Sequence, residues 1–169
     1  MVEIKTPISD DVIKNLHVGD AVEISGYILC GRDAVLPKVI SMIENGTVGS
    51  LGIDLKGQVV FHTAVSVAGV GPTSSNKLEI ESSIEPLSKA GVKLHLGKGE
   101  IHSETIKALE EHNSVYAIIP PVTALLGSKT SEIKVLAFPE LGMEALHLIK
   151  VDKYPAIIGA VHGRSIYEI

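Results

Sequence analysis

Three short glycine-flanked segments hold the cations and hydroxyls of this sequence that are best placed to bind a small anion. They are Gly31-Arg32-Asp33, Gly71-Pro72-Thr73-Ser74-Ser75-Asn76-Lys77 and Gly97-Lys98-Gly99, and each follows a predicted strand. α/β folds place ligands in the loops at strand ends, and glycine lets backbone N–H groups approach an anion closely. The shared placement therefore predicts one site for a small polyanion.

The three cations of these segments suit a molecule with two carboxylates. The planar guanidinium of Arg32 can hold a carboxylate through two parallel hydrogen bonds, whereas Lys77 and Lys98 act as point charges. A single Arg or Lys in a loop is more often a solvated surface charge, so the prediction depends on their shared placement. None of the segments has the Gly-Lys-Ser/Thr ending of a phosphate-binding loop, which argues against nucleotide hydrolysis.

Thr73 is the hydroxyl residue of these segments that is a candidate for proton transfer. Its position before a predicted helix is more typical of a simple N-cap. A hydroxyl is a poor base unless a cation or a metal beside it lowers its pKa, and the sequence alone does not reveal such a neighbour. Both interpretations stay open at this point.

The histidines and the cysteine form no recognisable metal-binding motif. The seven histidines show no close pairing such as His-x-x-x-His, although His162, after a predicted strand, is a candidate for a place near the site. The single Cys30 cannot supply the several thiolates of an iron–sulfur cluster or a structural zinc, so we expect it to be a buried apolar residue. The sequence therefore predicts no metal site on this chain, and any cluster would belong to a partner.

The candidate segments lie between alternating predicted strands and helices. In the first half we expect a strand at 21–30, a helix at 34–45, a strand at 58–67 leading into a glycine-rich loop at 68–75, and a helix at 75–90 that Pro86 splits or kinks. In the second half we expect strands at 92–96, 115–119, 133–138, 145–151 and 156–161, a helix capped by Ser103, and at 120–127 a turn that can include one helical turn. This order predicts a single three-layer α/β domain over residues 1–169 with a mixed sheet.

Composition and charge exclude several classes of protein. The chain is 45% hydrophobic and 21% charged, as in globular proteins, and its formal net charge of −5 offers no basic face for nucleic acid. Residues 1–10 lack the basic and apolar regions of a signal peptide, and no apolar run is long enough to cross a bilayer. We therefore expect a cytoplasmic protein.

Four motifs, in order along the chain, resemble those of the β subunit of class I fumarases and L-tartrate dehydratases, which is also the C-terminal domain of single-chain class I fumarases. They are the stretch 19–28 followed by Arg32-Asp33-Ala34, the segment Gly71-Pro72-Thr73-Ser74-Ser75, Gly97-Lys98-Gly99, and Glu140-Leu141-Gly142-Met143-Glu144-Ala145. Their spacing follows the family from residue 19 to residue 156, so the resemblance covers nearly the whole chain.

This resemblance implies a swivelling β/β/α domain that packs on an α subunit, where three cysteines hold a [4Fe-4S] cluster whose open iron acts as a Lewis acid. Arg32 and Lys98 match the family's substrate-binding arginine and lysine, Lys77 stands in place of a further arginine, and Thr73 matches the threonine proposed as base. The resemblance thus predicts a hydro-lyase for the reversible hydration of fumarate to L-malate, active as a hetero-oligomer of this chain with its α subunit.

The chain also departs from the family. Lys77-Leu78-Glu79 stands where Arg-Met-Asp is usual, so a point charge replaces a bidentate fork, and Val35-Leu36-Pro37-Lys38 stands where Ala-His-Lys is usual. These departures keep two alternatives open. One is a related dehydratase that acts on tartrate or mesaconate, and the other is a non-catalytic dicarboxylate-binding or regulatory module.

Overall fold

The computed structural model describes residues 1–66, 69–73, 77–120 and 123–167. The strands are β1 Val2–Lys5, β2 Ala21–Cys30, β3 Val59–Phe61, β4 Thr63–Ser66, β5 Gly69–Thr73, β6 Leu94–Gly97, β7 Val115–Ile118, β8 Thr130–Ala137, β9 Leu146–Val161 and β10 Arg164–Ser165. The α-helices are α1 Asp10–Lys14, α2 Leu36–Glu44, α3 Lys77–Lys89, α4 Ser103–Glu111 and α5 Thr123–Ser128, and two 3₁₀ helices span Val48–Leu51 and Pro139–Glu144. None of the helices in these ranges is long and apolar enough to cross a membrane.

Five strands form a closed ring. β2, β3, β6 and β7 lie side by side in that order and are parallel to one another. The 16-residue β9 runs antiparallel to β7 along one part of its length and antiparallel to β2 along another, which joins the two ends of the row. β1 continues the sheet beside the first half of β2, and β8 and β10 pair with β9.

Alternation along the strands separates a core inside the ring from two cores outside it. The interior is filled by apolar side chains from all five strands, among them Ile28, Phe61, Leu96, Ala117 and Ile149. Outside, α2 covers one face with Leu36 and Val39 packed near Leu29 and Val60, whereas α3 and α4 cover another with Ile84 and Leu109 near Tyr116. The predicted α/β class and mixed sheet are confirmed, whereas the ring of strands was not predicted.

Three predicted strands are divided or joined differently in the structure. The strand expected at 58–67 is broken after Phe61 into β3 and β4, and the expected glycine-rich loop contains β5, which pairs antiparallel with β4. The strands expected at 145–151 and 156–161 are one strand, β9. Asp152 and Lys153, which lie between the two predicted strands, resemble a turn in sequence. In the structure Lys153 has a φ of +55° and its N–H donates to Ser25 Oγ at 2.9 Å, so the strand continues through a local irregularity.

Two helix predictions were also wrong in detail. α3 is one helix with Pro86 in its interior, so the predicted split does not occur. The buried Ile84 and Leu87 hold the helix on the core despite the missing N–H and the steric clash of the proline ring. The residue at the N-cap of α4 is His102, not Ser103, which is the first helical residue. The short strand β1 was not predicted, since its four residues carry little pattern.

Candidate active site

The four parallel strands of the ring end at one edge, which we call the carboxyl edge. Backbone hydrogen bonds extend the ladders one step past the strands: Gly31 N donates to Phe61 O at 3.1 Å, His62 N to Leu96 O at 3.1 Å, and Ile119 N to Gly97 O at 3.0 Å. The chain segments that leave β2, β3, β6 and β7 therefore start side by side. This is the place at which α/β folds bind ligands.

Two of the predicted cations occupy this edge. Arg32 follows Gly31 at the end of β2, and the exposed Lys98 follows Gly97 at the end of β6. β3 lies between them, so their backbones are two strand spacings apart, or about 10 Å. Because both side chains are long, their charged ends can meet a single small dianion from two sides.

The backbone of Thr73 is brought to the same edge by the β4–β5 pair. Thr63, the first residue of β4, follows His62 at the end of β3 and lies opposite Thr73 in the register. Lys77 begins α3 four residues later, so the helix starts within about 14 Å of Thr73 along the chain. The side chains of Thr73 and Lys77 lie outside the described part of the structure, and their predicted roles stay predictions.

Arg32 has a partner within the chain that sequence reasoning missed. Its Nε donates to both carboxylate oxygens of Glu144, at 3.0 and 2.9 Å, and its Nη2 lies 2.6 Å from Oε2. The Arg32 side chain is 29% exposed, and the hydrogen bonds that it donates to Glu144 raise the pKa of the guanidinium further. Glu144 lies in the motif 140–145, 112 residues from Arg32 in sequence. The spacing of residues along the chain does not reveal a contact between such distant positions.

The segment that carries Lys98 is held at both ends. The hydroxyl of Tyr116 donates to Gly99 O at 3.1 Å. The carboxylate of Glu81, in α3, accepts hydrogen bonds from His102 N at 2.7 Å and from Thr105 Oγ1 at 2.6 Å. Burial acts to raise the pKa of Glu81, but these hydrogen bonds and those of the His102 ring lower it overall. The carboxylate is thus an anchor in its charged form.

A cavity of about 340 Å³ opens next to this segment. Its described lining consists of Glu100, Ile101, His102 and Ser103. The size is that of a small-ligand pocket, and the lining begins two residues after Lys98. We therefore place the candidate site between the end of β2 and this cavity, along the carboxyl edge.

The histidines behave differently from expectation. The exposed His162, a candidate from sequence, follows the end of β9, which runs antiparallel to β7, so it lies at the opposite edge of the ring. In contrast, His62 and His95 are fully buried, and burial lowers the pKa of His62 to about 4. No sequence signal distinguishes these two from surface histidines, because their environment is made by tertiary packing.

The side chains described here do not fit an iron–sulfur cluster. Cys30 points into the interior of the ring, is fully buried, and has its pKa raised by burial, so it is a protonated apolar residue as predicted. Within the described ranges no group of three or more His, Cys, Asp or Glu side chains is arranged to hold a metal ion. No step of the chemistry is therefore assigned to a cluster on this chain.

A match to the family described as the fumarase C-terminus extends over residues 1–169. The chain belongs to this family. The resemblance found in the four motifs is thereby confirmed.

Relatives of two kinds match the chain. A putative L(+)-tartrate dehydratase subunit beta from Methanocaldococcus jannaschii is 30% identical, and the match covers 92% of this chain and 86% of the relative. The L(+)-tartrate dehydratase subunit beta of Escherichia coli is 27% identical over 95% of this chain and 84% of that protein. A putative fumarate hydratase class I from Geobacillus stearothermophilus is 27% identical over 99% of this chain, which spans only 34% of its length.

Proposed function

We propose that this chain is the β subunit of an iron–sulfur-dependent hydro-lyase that reversibly adds water to fumarate to give L-malate. The observation that supports the proposal most is that Arg32, Lys98 and the backbone of Thr73 follow or adjoin strand ends at the carboxyl edge of a domain from the fumarase family. This chain spans only 34% of the single-chain relative, and the relative from Methanocaldococcus jannaschii is named as a subunit, which supports a catalytic assembly larger than the chain itself.

In this proposal Arg32 and Lys98 bind the two carboxylates of the substrate. The backbones of the two residues are about 10 Å apart, so their guanidinium and ammonium groups can bind the two ends of a four-carbon diacid and hold its double bond in one orientation. Glu144 occupies the Nε and Nη2 side of Arg32, so the substrate carboxylate meets the side that carries Nη1. Lys77 adds a further positive charge at the start of α3.

Thr73 is proposed as the residue that moves a proton at the substrate carbon. A threonine hydroxyl has too high a pKa for this role on its own, and cations beside it favour its ionised form. Lys98 and Lys77 are the proposed source of that effect.

The [4Fe-4S] cluster is assigned to a separate α subunit, since the single buried Cys30 cannot bind it. We propose that residues 1–169 act as one domain that swivels on the α subunit as a β/β/α unit, and that the complex is cytoplasmic. The α subunit would cover the carboxyl edge and exclude bulk water from the substrate.

The test is anaerobic co-expression with the α-type subunit, followed by the loss of fumarate absorbance with and without this chain. Turnover is expected to need both chains, to fall at least about 100-fold in Thr73→Ala, and to show a KM raised about tenfold or more in Lys98→Ala. Lys14→Ala, an exposed lysine in α1 at the other edge, is the control. A stable complex without turnover on fumarate, tartrate or mesaconate would instead favour a binding or regulatory module.

A second candidate is dehydration of L-tartrate. The β subunits that match this chain over most of both sequences are those of tartrate dehydratases. Both reactions require a site that binds two carboxylates. Discrimination between the two substrates therefore depends on the protein groups around the carbon atoms. Comparing kcat/KM for fumarate and L-tartrate in the same preparation separates the two, because the physiological substrate should be favoured by at least about tenfold.

A further inference from the structure

Three buried polar side chains form a continuous hydrogen-bonded row between α3 and the strands β3 and β6. Ser88 Oγ lies 2.9 Å from His95 Nε2, and His95 Nδ1 lies 3.1 Å from His62 Nε2. Ser88 is 3% exposed and both histidines are 0% exposed. The last atom of the row, His62 Nδ1, is buried without a hydrogen-bond partner in the described part of the structure.

The direction of the row follows from Ser88. Within the described residues its hydroxyl contacts only His95, although a serine inside a helix often donates to the carbonyl one turn earlier. A buried hydroxyl proton needs an acceptor, so Ser88 donates to His95 Nε2. The proton of neutral His95 is then on Nδ1 and is donated to His62 Nε2. Neutral His62 consequently carries its own proton on Nδ1.

Burial supports the neutral form of both rings. Desolvation lowers the pKa of His62 to about 4, and it lowers the pKa of His95, with a further contribution from the charge of His62. A neutral imidazole has one donor and one acceptor nitrogen, as the row requires. Near neutral pH the unpaired His62 Nδ1 is therefore an N–H donor.

The geometry directs this donor to the carboxyl edge. His95 pairs with Val60, two residues before His62, so the row rises along β3 from its amino end. Nε2 of His62 contacts His95, and from this contact we infer that Nδ1, on the other flank of the ring, faces the end of the strand. His62 is also directly followed by Thr63, whose backbone lies opposite Thr73.

We propose that His62 is a positioning residue whose Nδ1–H, fixed by Ser88 and His95, donates a hydrogen bond to an oxygen of the bound dicarboxylate. The inference rests on the proposed hydro-lyase site. A buried N–H without a partner destabilises the free protein, and an oxygen acceptor supplied by the ligand removes that penalty. The row fixes the orientation of the donor before the ligand arrives.

The first test is histidine ¹⁵N NMR on the full chain in complex with its α subunit. Long-range correlations distinguish Nδ1–H from Nε2–H, and we expect Nδ1–H on both His62 and His95 at pH 7 without any ligand. A proton on Nε2 of His62 would overturn the inference regardless of activity. Addition of L-malate or L-tartrate should shift the Nδ1 signal of His62.

The ligand titration also follows the ¹⁵N signal of the Lys98 ammonium, which separates two failures. If Lys98 responds to a dicarboxylate and His62 does not, the role of His62 is wrong while the proposed function stands. If neither responds to fumarate, L-malate or L-tartrate, the dicarboxylate site itself is wrong, and the role of His62 falls with it.

Two substitutions test the donor directly. A glutamine side chain places its amide near the Nε2 position and an asparagine near the Nδ1 position. His62→Gln should therefore keep the contact with His95 and lose the donor, weakening dicarboxylate binding by about tenfold or more, whereas His62→Asn should stay within about threefold of the wild type. Equal affinities in folded His62→Gln and wild-type complexes would overturn the proposal.

Discussion

Glu144 holds Arg32 by the side of its guanidinium that carries Nε and Nη2 and leaves Nη1 out of this contact. Both oxygens of the carboxylate accept from Nε, and Nη2 lies 2.6 Å from Oε2. Such fork-like contact fixes the plane of the guanidinium as well as its position. A ligand carboxylate would then find Arg32 already oriented, which lowers the entropy lost on binding.

Glu144→Gln should impair this orientation. The amide accepts hydrogen bonds through one oxygen only and carries no charge, so we expect the KM for the dicarboxylate to rise about three- to tenfold with a smaller change in kcat. Steady-state kinetics of the two-subunit complex measure both parameters. Glu140→Gln, at an exposed position in the same 3₁₀ helix, is the matched control. A fall in KM would mean that Glu144 competes with the substrate for Arg32.

Gly97→Ala should disturb the segment that carries Lys98. An added Cβ would lie 3.0 Å from Cε1 and 3.1 Å from the hydroxyl oxygen of Tyr116, whose buried ring would have to move and weaken its bond to Gly99. We expect a loss of about 1–2 kcal/mol in the free energy of unfolding, measured by urea denaturation, and a raised KM. At Gly49 an added Cβ meets no atom within 4 Å, so Gly49→Ala should change neither quantity appreciably.

The buried histidines should make the protein less stable in acid. Folded His62 has a pKa of about 4, against 6.5 for an ordinary histidine, so the unfolded chain binds more protons as the pH falls. Stability is therefore unaffected well above pH 6.5 and declines between pH 6.5 and about 4, with at most about 3 kcal/mol attributable to His62.

Urea denaturation at pH 7 and pH 4.5 checks this dependence. His62→Gln should flatten the decline, because its side chain does not titrate, whereas His17→Gln should not, since the His17 side chain is 76% exposed. The same decline in all three proteins would show that groups other than His62 cause the acid sensitivity.

Cys30 should be unreactive until the protein unfolds. Its thiol is fully buried inside the ring, and burial raises its pKa, so almost no thiolate is present at neutral pH. A thiol-specific chromogenic reagent should titrate close to zero thiols per native chain and one per chain in guanidinium chloride. Rapid reaction of the native chain would contradict the placement of Cys30 in the core.

The local features of the site could be predicted from sequence because they depend on residues that are close together along the chain. Alternation predicted β2 over 21–30, and the glycine-flanked cations after the strands placed Arg32 and Lys98 correctly at strand ends. Parallel neighbours then bring those ends together, which is a general rule of such sheets.

The features that the sequence did not reveal depend on distant parts of the chain. Glu144 reaches Arg32 only because β9 begins beside the end of β2, with His147 opposite Cys30. His62 and His95 differ from surface histidines only through α3 above them and Ser88 within it. The continuity of β9 was missed because an Asp-Lys irregularity and Pro155 resemble a turn locally, while the pairing with β2 on both sides holds the strand together.

The length of β9 also sets which changes of chain length the domain can tolerate. β9 pairs with β2, β7 and β8. One residue inserted into β9 would turn its inward-facing side chains outward beyond the insertion and would disturb its register with as many as three strands. The same insertion in the loops of the carboxyl edge would leave the ring intact. Related domains should therefore change their substrate preference through insertions and deletions in those loops, while the length of β9 stays constant.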